Sequence, residues 1–227
     1  MDRQVRSLGD HVAATDSTAG TAGTAALVFT DLALSPTGLE IQVSADKGER
    51  ALASRTFVVG DPPPQGGADL LILPGSKSVR DDLAWLRQNG WQEFINRHLR
   101  YGGKVLGICG GYQMLGSVVH DPDGVDGKAG TTQGLGLLPV ETVLKAPKTT
   151  TCACFSWNGI QGRGYEIHMG ETICHGGSPL FSIHERNGET VHVSDGRTSS
   201  DGRAMGTYIH GLFDTPEVTR RWLDSIG

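Results

Sequence analysis

The chain has 227 residues, 37% hydrophobic and 20% charged, so it is long enough for one well-buried domain and is not disordered by composition. Its net charge of −5 and the lack of a basic stripe argue against a nucleic-acid platform. No apolar run approaches the roughly 18 residues of a membrane span, and no hydrophobic signal core opens the chain. Its four cysteines form no paired CxxC motif, so we expect no disulfide framework and a reducing, cytoplasmic compartment.

The N-terminal part of the chain is expected to contribute little to the core. Residues 1–24 are small and polar, which predicts a disordered tail or linker, and the folded domain is expected over 25–227. Apolar residues at 25–29 and 39–43 predict strands. Three consecutive prolines make 61–67 a loop, because proline cannot donate to a β-ladder.

Two strand–turn–helix units follow. The apolar run at 69–73 predicts a strand buried on both faces, followed by helices over 81–87 and 92–100. A second buried strand is predicted at 104–108, then a sharp turn, then a helix that includes apolar residues at helical spacing up to Val119. Strands and helices that alternate in this way predict an α/β fold with a mostly parallel sheet.

The C-terminal half is richer in strands and turns. Strands are predicted at 135–140, 164–169, 190–193 and 204–209. A closing helix is predicted over 216–226, with a proline in its first turn.

The strongest local signal is the pentapeptide Gly107-Ile108-Cys109-Gly110-Gly111. A nucleophile on a sharp strand-to-helix turn projects outward, and neighbouring glycines remove the Cβ atoms that would clash there. We expect the helix N-terminus to lower the pKa of Cys109, and the Gly110 N–H to point toward a developing oxyanion. A buried structural cysteine in a glycine-rich turn is the alternative.

A cysteine nucleophile needs a base, and two of the eight histidines are placed to supply it. His210 follows a predicted strand and precedes a glycine, and functional groups of α/β sheets collect at such strand ends. His168 is the second candidate. The turn at Gly75 and Ser76 follows a parallel strand, so its N–H groups are candidates for the second oxyanion donor.

Other polar residues carry weaker signals. Cys152, Cys154, Cys174 and His175 do not match a zinc finger or ribbon, and no metal site is predicted. Four basic residues are candidates for binding a carboxylate, with no basis in the sequence for choosing among them: Lys145, Lys148, Arg163 and Arg203.

Five segments together resemble the glutamine amidotransferase domain of cobyric acid synthases, in the triad-type (class I) superfamily. They are LLILPGSKSVRDDLAWLRQNGW from Leu70, GKVLGICGGYQMLG from Gly103, GLGLLPVETVLKAPKT from Gly134, GYEIHMGET from Gly164 and GTYIHGLFD from Gly206. Two related families, cobyrinic acid a,c-diamide synthase and the glutaminase subunit of lipid II amidation, share the Cys-Gly-Gly turn. The Pro-Gly-Ser-Lys and Gly-Tyr-Glu-Ile-His-Met-Gly segments fit cobyric acid synthase better.

The resemblance implies a flavodoxin-like three-layer α/β sandwich and a glutaminase reaction. Cys109 would be the nucleophile, forming a thioester with glutamine and releasing ammonia, and His210 the general base. Gly75 or Ser76, with Gly110, would line the oxyanion hole.

The sequence does not identify the group that would orient the His210 ring. Most class I enzymes have an acidic residue two positions after the histidine, where this chain has Leu212, as the cobyric acid synthase branch also does. Glu166 or a carboxylate of a partner subunit is a candidate for that role. Glu166, His168 and Lys148 are possible substrate-binding or orienting residues.

A complete cobyric acid synthase resembles an ATP-dependent synthetase domain followed by an amidotransferase domain of this kind. This chain has no Gly-x-x-x-x-Gly-Lys-[Ser/Thr] phosphate loop of the kind that binds a nucleotide. We therefore expect no cofactor on this chain, and ATP and Mg²⁺ on a synthetase domain or subunit that receives the ammonia. The alternatives are a glutaminase subunit for another ligase, such as one that amidates lipid II, and a non-catalytic scaffold.

Overall fold

A computed structural model describes residues 69–226 and, before them, isolated strands only. The N-terminal strands are β1 (Leu27–Phe29), β2 (Glu40–Val43), β3 (Asp46–Lys47), β4 (Arg50–Ala51) and β5 (Arg55–Val58). The predicted tail at 1–24 and the proline-rich loop at 61–67 lie outside the described residues.

The remaining elements follow in chain order. The first group is β6 (Leu70–Leu73), α1 (Val79–Gln88), α2 (Trp91–Arg100), β7 (Lys104–Ile108), α3 (Gly110–Leu115), β8 (Val118–Asp121), β9 (Gly130–Gln133) and β10 (Val140–Val143). The second is β11 (Thr149–Trp157), β12 (Ile160–His168), β13 (Glu171–Cys174), β14 (Phe181–Arg186), β15 (Glu189–Asp195), β16 (Arg197–Thr198), β17 (Ala204–Thr207), β18 (Ile209–His210) and α4 (Pro216–Ile226).

The central sheet has the order β1–β6–β7–β17–β16, in which the first four strands are parallel and β16 is antiparallel. All four residues of β6 are buried, as are the last four of β7. Strands covered on both faces have no need to alternate polar and apolar residues, which explains their continuous apolar runs.

Each face of the central sheet packs against a different kind of layer. On one face Leu71 and Val105 pack with apolar residues of α1, α2 and α3. On the other face Ile72 and Leu106 pack with the inner residues of β11 and β14 and with Trp222 of α4. The second layer is therefore formed largely by strands.

Two further sheets contain most of the C-terminal half. One has the order β13–β10–β8–β9 and is mixed, because β10 runs parallel to β8 and antiparallel to β13. The other, β15–β14–β11–β12–β18, is antiparallel. The α/β class is confirmed, but the sheets are mixed, and the mostly parallel arrangement holds for the central sheet only.

Two predicted elements are wrong. The helix after Cys109 ends at Leu115, and the β-branched pair Val118 and Val119 belongs to β8. The segment predicted as a strand at 135–140 is irregular up to Val140. The amides of 135, 137 and 138 donate to carbonyls at the end of α3, which leaves the segment wrapped over the helix instead of paired in a sheet.

Within the part of the chain that the structure describes, no helix is both long enough and apolar enough to cross a bilayer.

Candidate active site

Cys109 stands at the turn between β7 and α3 in a backbone conformation that is rare for a residue with a side chain, φ 54° and ψ −111°. Its amide donates to the carbonyl of Thr207 at 2.8 Å. A Cβ atom added at Gly111 would lie 1.9 Å from the carbonyl oxygen of Leu73. The turn therefore depends on a glycine, because the backbones of β6 and α3 are in direct contact.

The thiol of Cys109 is buried and protonated at neutral pH. Its Sγ donates to the carbonyl of Ile167 at 3.1 Å, and the residue is 8% exposed. Burial raises the pKa of Cys109 to about 11, while the Gly110 N–H and the charge of Lys148 lower it only in part. The expected lowering by the helix N-terminus is therefore wrong, because desolvation of the thiolate outweighs the short helix.

His210 lies on β18 with its ring stacked on that of Tyr165, at a centroid distance of 5.1 Å and an angle of 7°. The Ile167 carbonyl accepts a hydrogen bond from the ring and raises the pKa of His210, but burial is the larger effect and lowers it below the usual 6.5. Nε2 is buried and has no hydrogen-bond partner among the described residues. At neutral pH the imidazole is therefore uncharged, with one nitrogen available.

Cys109 and His210 meet at Gly75. A Cβ atom added there would lie 3.3 Å from Cε1 of His210 and 3.9 Å from Sγ of Cys109. The Ile167 carbonyl contacts both side chains, since it accepts from the thiol and from the imidazole. The structure thus brings together three of the predicted site residues, which come from β18, from the turn after β6 and from the turn after β7.

The predicted oxyanion-hole residues are also adjacent. A Cβ atom added at Gly110 would lie 2.6 Å from the amide nitrogen of Ser76, so these two backbones touch. The Ser76 hydroxyl donates to Asp82 and accepts from the amide of Ser78, so both of its hydrogen bonds are made at the start of α1. The Ser76 hydroxyl is therefore already hydrogen-bonded, and the predicted role of this turn in binding an oxyanion would fall to its backbone N–H groups.

Glu166 is not brought to His210. In the pairing of β12 with β18, Tyr165 is opposite His210, so Glu166 projects to the other face of the sheet. There Arg186 donates to its Oε1 from Nη2 at 2.9 Å, and Nε of Arg186 lies 2.9 Å from Oε2. Glu166 is therefore a buried ion-pair partner, whereas the Ile167 carbonyl and the Tyr165 ring contact the His210 ring.

His168 lies beside the site as a neutral ring. It stacks on Tyr208 at a centroid distance of 3.8 Å. Burial lowers its pKa to about 4, and the charges of Arg186 and His210 add to this effect. A group that stays uncharged at neutral pH can bind substrate through hydrogen bonds but adds no charge to the site.

Of the four basic candidates, Lys148 is the one near the catalytic pair. It directly precedes β11, whose first residue pairs with His168, and its charge lowers the pKa of both Cys109 and His210. The other three are engaged elsewhere: Lys145 with Glu171, Arg163 with Cys154 and Arg203 with the carbonyl of Leu99.

The other cysteines are dispersed. Cys152 and Cys154 project outward from β11, and Cys174 is exposed on β13 in a different sheet. Nε2 of His175 lies 3.5 Å from Oε1 of Glu141. Among the residues that the structure describes, no group of three or more His, Cys, Asp and Glu side chains is arranged to hold a metal ion.

Sequence reasoning missed a network of buried polar residues behind the site. Gln113 donates to the carbonyl of Met169 and to the hydroxyl of Tyr208, which also bonds Thr172. Asp195 accepts from the Thr207 hydroxyl and the Tyr208 amide. A polar residue on the otherwise apolar short helix was the available signal for Gln113, whereas nothing local marks Asp195.

The fold has a counterpart among solved structures. The structure of PurLQS from Thermotoga maritima matches 74% of this chain and 84% of that chain with a TM-score of 0.53 at 15% sequence identity. At this identity the likeness concerns the fold alone.

The sequence places the chain in a family. Residues 49–218 match the family described as the CobB/CobQ-like glutamine amidotransferase domain, and the chain belongs to that family of enzymes. This confirms the resemblance drawn from the five segments.

Individual relatives are cobyric acid synthases. That of Chlorobaculum tepidum is 51% identical over 162 residues, covering 69% of this chain and 32% of the relative. That of Shewanella oneidensis is 47% identical over 175 residues, covering 70% and 34%. That of Vibrio parahaemolyticus is 53% identical over 155 residues, covering 66% and 31%. The chain therefore spans about a third of the length of these relatives.

Proposed function

We propose that this chain is a glutaminase unit that hydrolyses glutamine through a thioester on Cys109 and supplies ammonia for an ATP-dependent amidation. The observation that supports it best is the meeting of the Cys109 thiol and the His210 imidazole at Gly75 and the Ile167 carbonyl. A buried thiol beside a neutral imidazole with a free nitrogen is the arrangement that nucleophilic catalysis requires.

In the first half-reaction the sulfur of Cys109 attacks the side-chain amide carbon of glutamine, and the thiol proton passes to His210. The carbon–nitrogen bond then breaks, the nitrogen takes that proton and ammonia leaves, and a γ-glutamyl thioester remains. Because burial raises the pKa of the free thiol to about 11, proton transfer to His210 accompanies the attack instead of preceding it.

In the second half-reaction water attacks the thioester and gives its proton to His210. The carbon–sulfur bond breaks, Cys109 recovers its proton and glutamate leaves. In both halves the tetrahedral oxyanion would accept hydrogen bonds from backbone N–H groups at Gly75 or Ser76 and at Gly110, which are strongest where water is excluded. Lys148 would attract the α-carboxylate of glutamine at the mouth of the site.

The ammonia would be used by a synthetase domain or subunit that binds ATP and Mg²⁺. The relatives at 47–53% identity are named cobyric acid synthases and are about three times as long as the matched part of this chain. We therefore propose corrinoid carboxylates as the acceptors, and cobalamin biosynthesis as the setting.

The direct test is glutamate release from glutamine by the purified chain, measured beside Cys109→Ala. Release by the wild type and none by the variant is the expected result. A synthetase that resembles the remainder of the relatives is then added with ATP, Mg²⁺ and a corrinoid carboxylate, and release is expected to rise. Glutamate release that is equal in both proteins, or none even with the synthetase, would overturn the proposal and favour the scaffold alternative.

A further inference from the structure

The chain changes sheets immediately before the candidate base. β17 belongs to the central sheet and β18 to the antiparallel sheet, and only Tyr208 separates them. We call residues 207–210 the sheet-switch segment. It contains one catalytic candidate, His210, and holds the other, because the Thr207 carbonyl accepts a hydrogen bond from the Cys109 amide at 2.8 Å.

Backbone amides of the sheet-switch segment are bonded to side chains. The Tyr208 amide donates to Oδ1 of Asp195 at 3.2 Å, and the Ile209 amide donates to the Thr207 hydroxyl at 2.9 Å. That hydroxyl in turn donates to Oδ2 of Asp195. Asp195, the last residue of β15, is 5% exposed, so neither contact competes with bulk water.

The two groups that reach Asp195 are both donors. An ionised carboxylate accepts with both oxygens, whereas an asparagine in the same position would place its NH₂ group against one of the two donors. The same argument fixes the orientation of the Thr207 hydroxyl, which accepts from Ile209 and has only its proton to give. The sheet-switch segment thus offers two donors to position 195, and a carboxylate, which only accepts, is suited to both.

The charged groups that act on Asp195 come from other strands of its own sheet, Arg186 from β14 and Glu166 from β12. Burial raises its pKa to about 6, Glu166 adds to that effect, and Arg186 opposes it together with the bonds from Thr207 and Tyr208. The carboxylate therefore predominates at neutral pH.

We propose that Asp195 is a positioning residue that holds the sheet-switch segment, and through it both the Cys109 amide and the His210 ring, in the reactive arrangement. Its catalytic consequence rests on the proposed glutaminase function. Asp195 contacts neither catalytic side chain, so its effect passes through the carbonyl of Thr207 and the backbone of residues 208–210.

The test compares Asp195→Asn, Thr207→Val and Thr207→Ser with Asp201→Asn as the matched control. Asp201 is an exposed carboxylate that bonds Ser199 and Arg203 in the turn between β16 and β17. Two readouts do not require glutaminase activity: the rate of Cys109 alkylation by iodoacetamide, and the titration of the His210 ring followed by NMR.

Asp195→Asn and Thr207→Val are expected to move the His210 titration by about 0.5 pH units or more, and to change the alkylation rate. If the wild type hydrolyses glutamine, kcat of these two variants should fall about 100-fold, the usual cost of displacing a catalytic group, and KM should be nearly unchanged. For this comparison kcat is expressed per active site, and the active sites are titrated with a glutamine-analogue electrophile. Thr207→Ser keeps the hydroxyl and should restore most of the wild-type values, and Asp201→Asn should match the wild type.

Wild-type alkylation and wild-type His210 titration in Asp195→Asn would overturn the proposal, as would a Thr207→Ser protein as impaired as Thr207→Val. If Asp195→Asn does not fold, the two Thr207 variants decide the question. A wild type that releases no glutamate even with the synthetase would contradict the proposed function alone, because both activity-independent readouts still report on Asp195.

Discussion

The turn at 107–111 and the hairpin formed by β11 and β12 hold their functional groups by different physical means. In the turn, contact between backbones fixes Cys109, and glycine is required because a Cβ atom at 111 would lie 1.9 Å from a neighbouring carbonyl. In the hairpin, pairing and hydrogen bonds place the Ile167 carbonyl against the thiol and the imidazole. The turn has no room for added atoms at Gly111, whereas side chains on the outer face of the hairpin, such as the exposed Cys152, are expected to tolerate change.

The cysteines of the two regions illustrate the difference. Cys109 is buried beside the His210 imidazole, whereas Cys152 of the hairpin faces solvent on the outer side of β11. Residue type alone does not distinguish them. The environment does, because a nucleophile needs a proton acceptor and a site that excludes water.

The largest expected effect separates these two cysteines. Cys109→Ala removes the attacking atom and is expected to lower kcat by at least about 10⁴-fold, with the fold retained. Cys152→Ala should leave glutamate release unchanged. Activity lost equally in both variants would contradict the distinction.

The next effect compares the two histidines. His210→Ala is expected to cost about 10²–10⁴-fold in kcat, the usual contribution of a general base. His168→Ala should cost less, because His168 stacks on Tyr208, whereas His210 meets the Cys109 thiol at Gly75. Steady-state kinetics of both variants measure the difference, and a larger loss in His168→Ala would reverse the assignment of the base.

Steric intolerance of the turn is tested by an added methyl group. Gly111→Ala should lower the free energy of unfolding by about 3 kcal/mol, because the new Cβ would meet the Leu73 carbonyl at 1.9 Å. The control is Gly176→Ala, whose Cβ would meet only Pro139 at 3.6 Å, and whose effect should stay within about 0.5 kcal/mol. Urea denaturation measures both values, and equal effects would show that backbone contact does not fix the turn.

The pH profile reports the state of the base. Because burial lowers the pKa of His210, its neutral form persists below the usual 6.5, and protonation as the pH falls removes the base. We expect kcat/KM to be level near neutral pH and to fall about tenfold per pH unit below an apparent pKa under 6.5. A profile that instead rises steadily toward pH 11 would indicate that free thiolate attacks without His210.

The smallest expected effect compares two lysines of the loop before β11. Lys148→Met should raise KM for glutamine about fivefold, in keeping with an exposed charge pair. It should also move the acid limb to higher pH, because the Lys148 charge lowers the pKa of His210. Lys145→Met should do neither, since Lys145 pairs with Glu171. Equal kinetics for the two variants would exclude Lys148 from the substrate site.

Local signals in the sequence determined the α/β class, the buried strands β6 and β7, the helices α1, α2 and α4, and the family. Apolar runs and glycine turns are imposed by burial and backbone geometry close to each residue, so they can be predicted without knowing the partner. The same local logic failed after Cys109, where helical spacing of apolar residues continued into what is β8.

Only the tertiary structure decided which polar groups meet. Glu166 lies in the Gly-Tyr-Glu-Ile-His-Met-Gly segment and was a candidate to orient His210. Strand alternation instead places it on the face of β12 away from His210, where it pairs with Arg186. The pKa of Cys109 rises, although a helix N-terminus predicted the reverse, because burial depends on every packed layer. Asp195 bonds residues 12 and 13 positions away in the sequence, a contact made by the crossing of two sheets that no local pattern encodes.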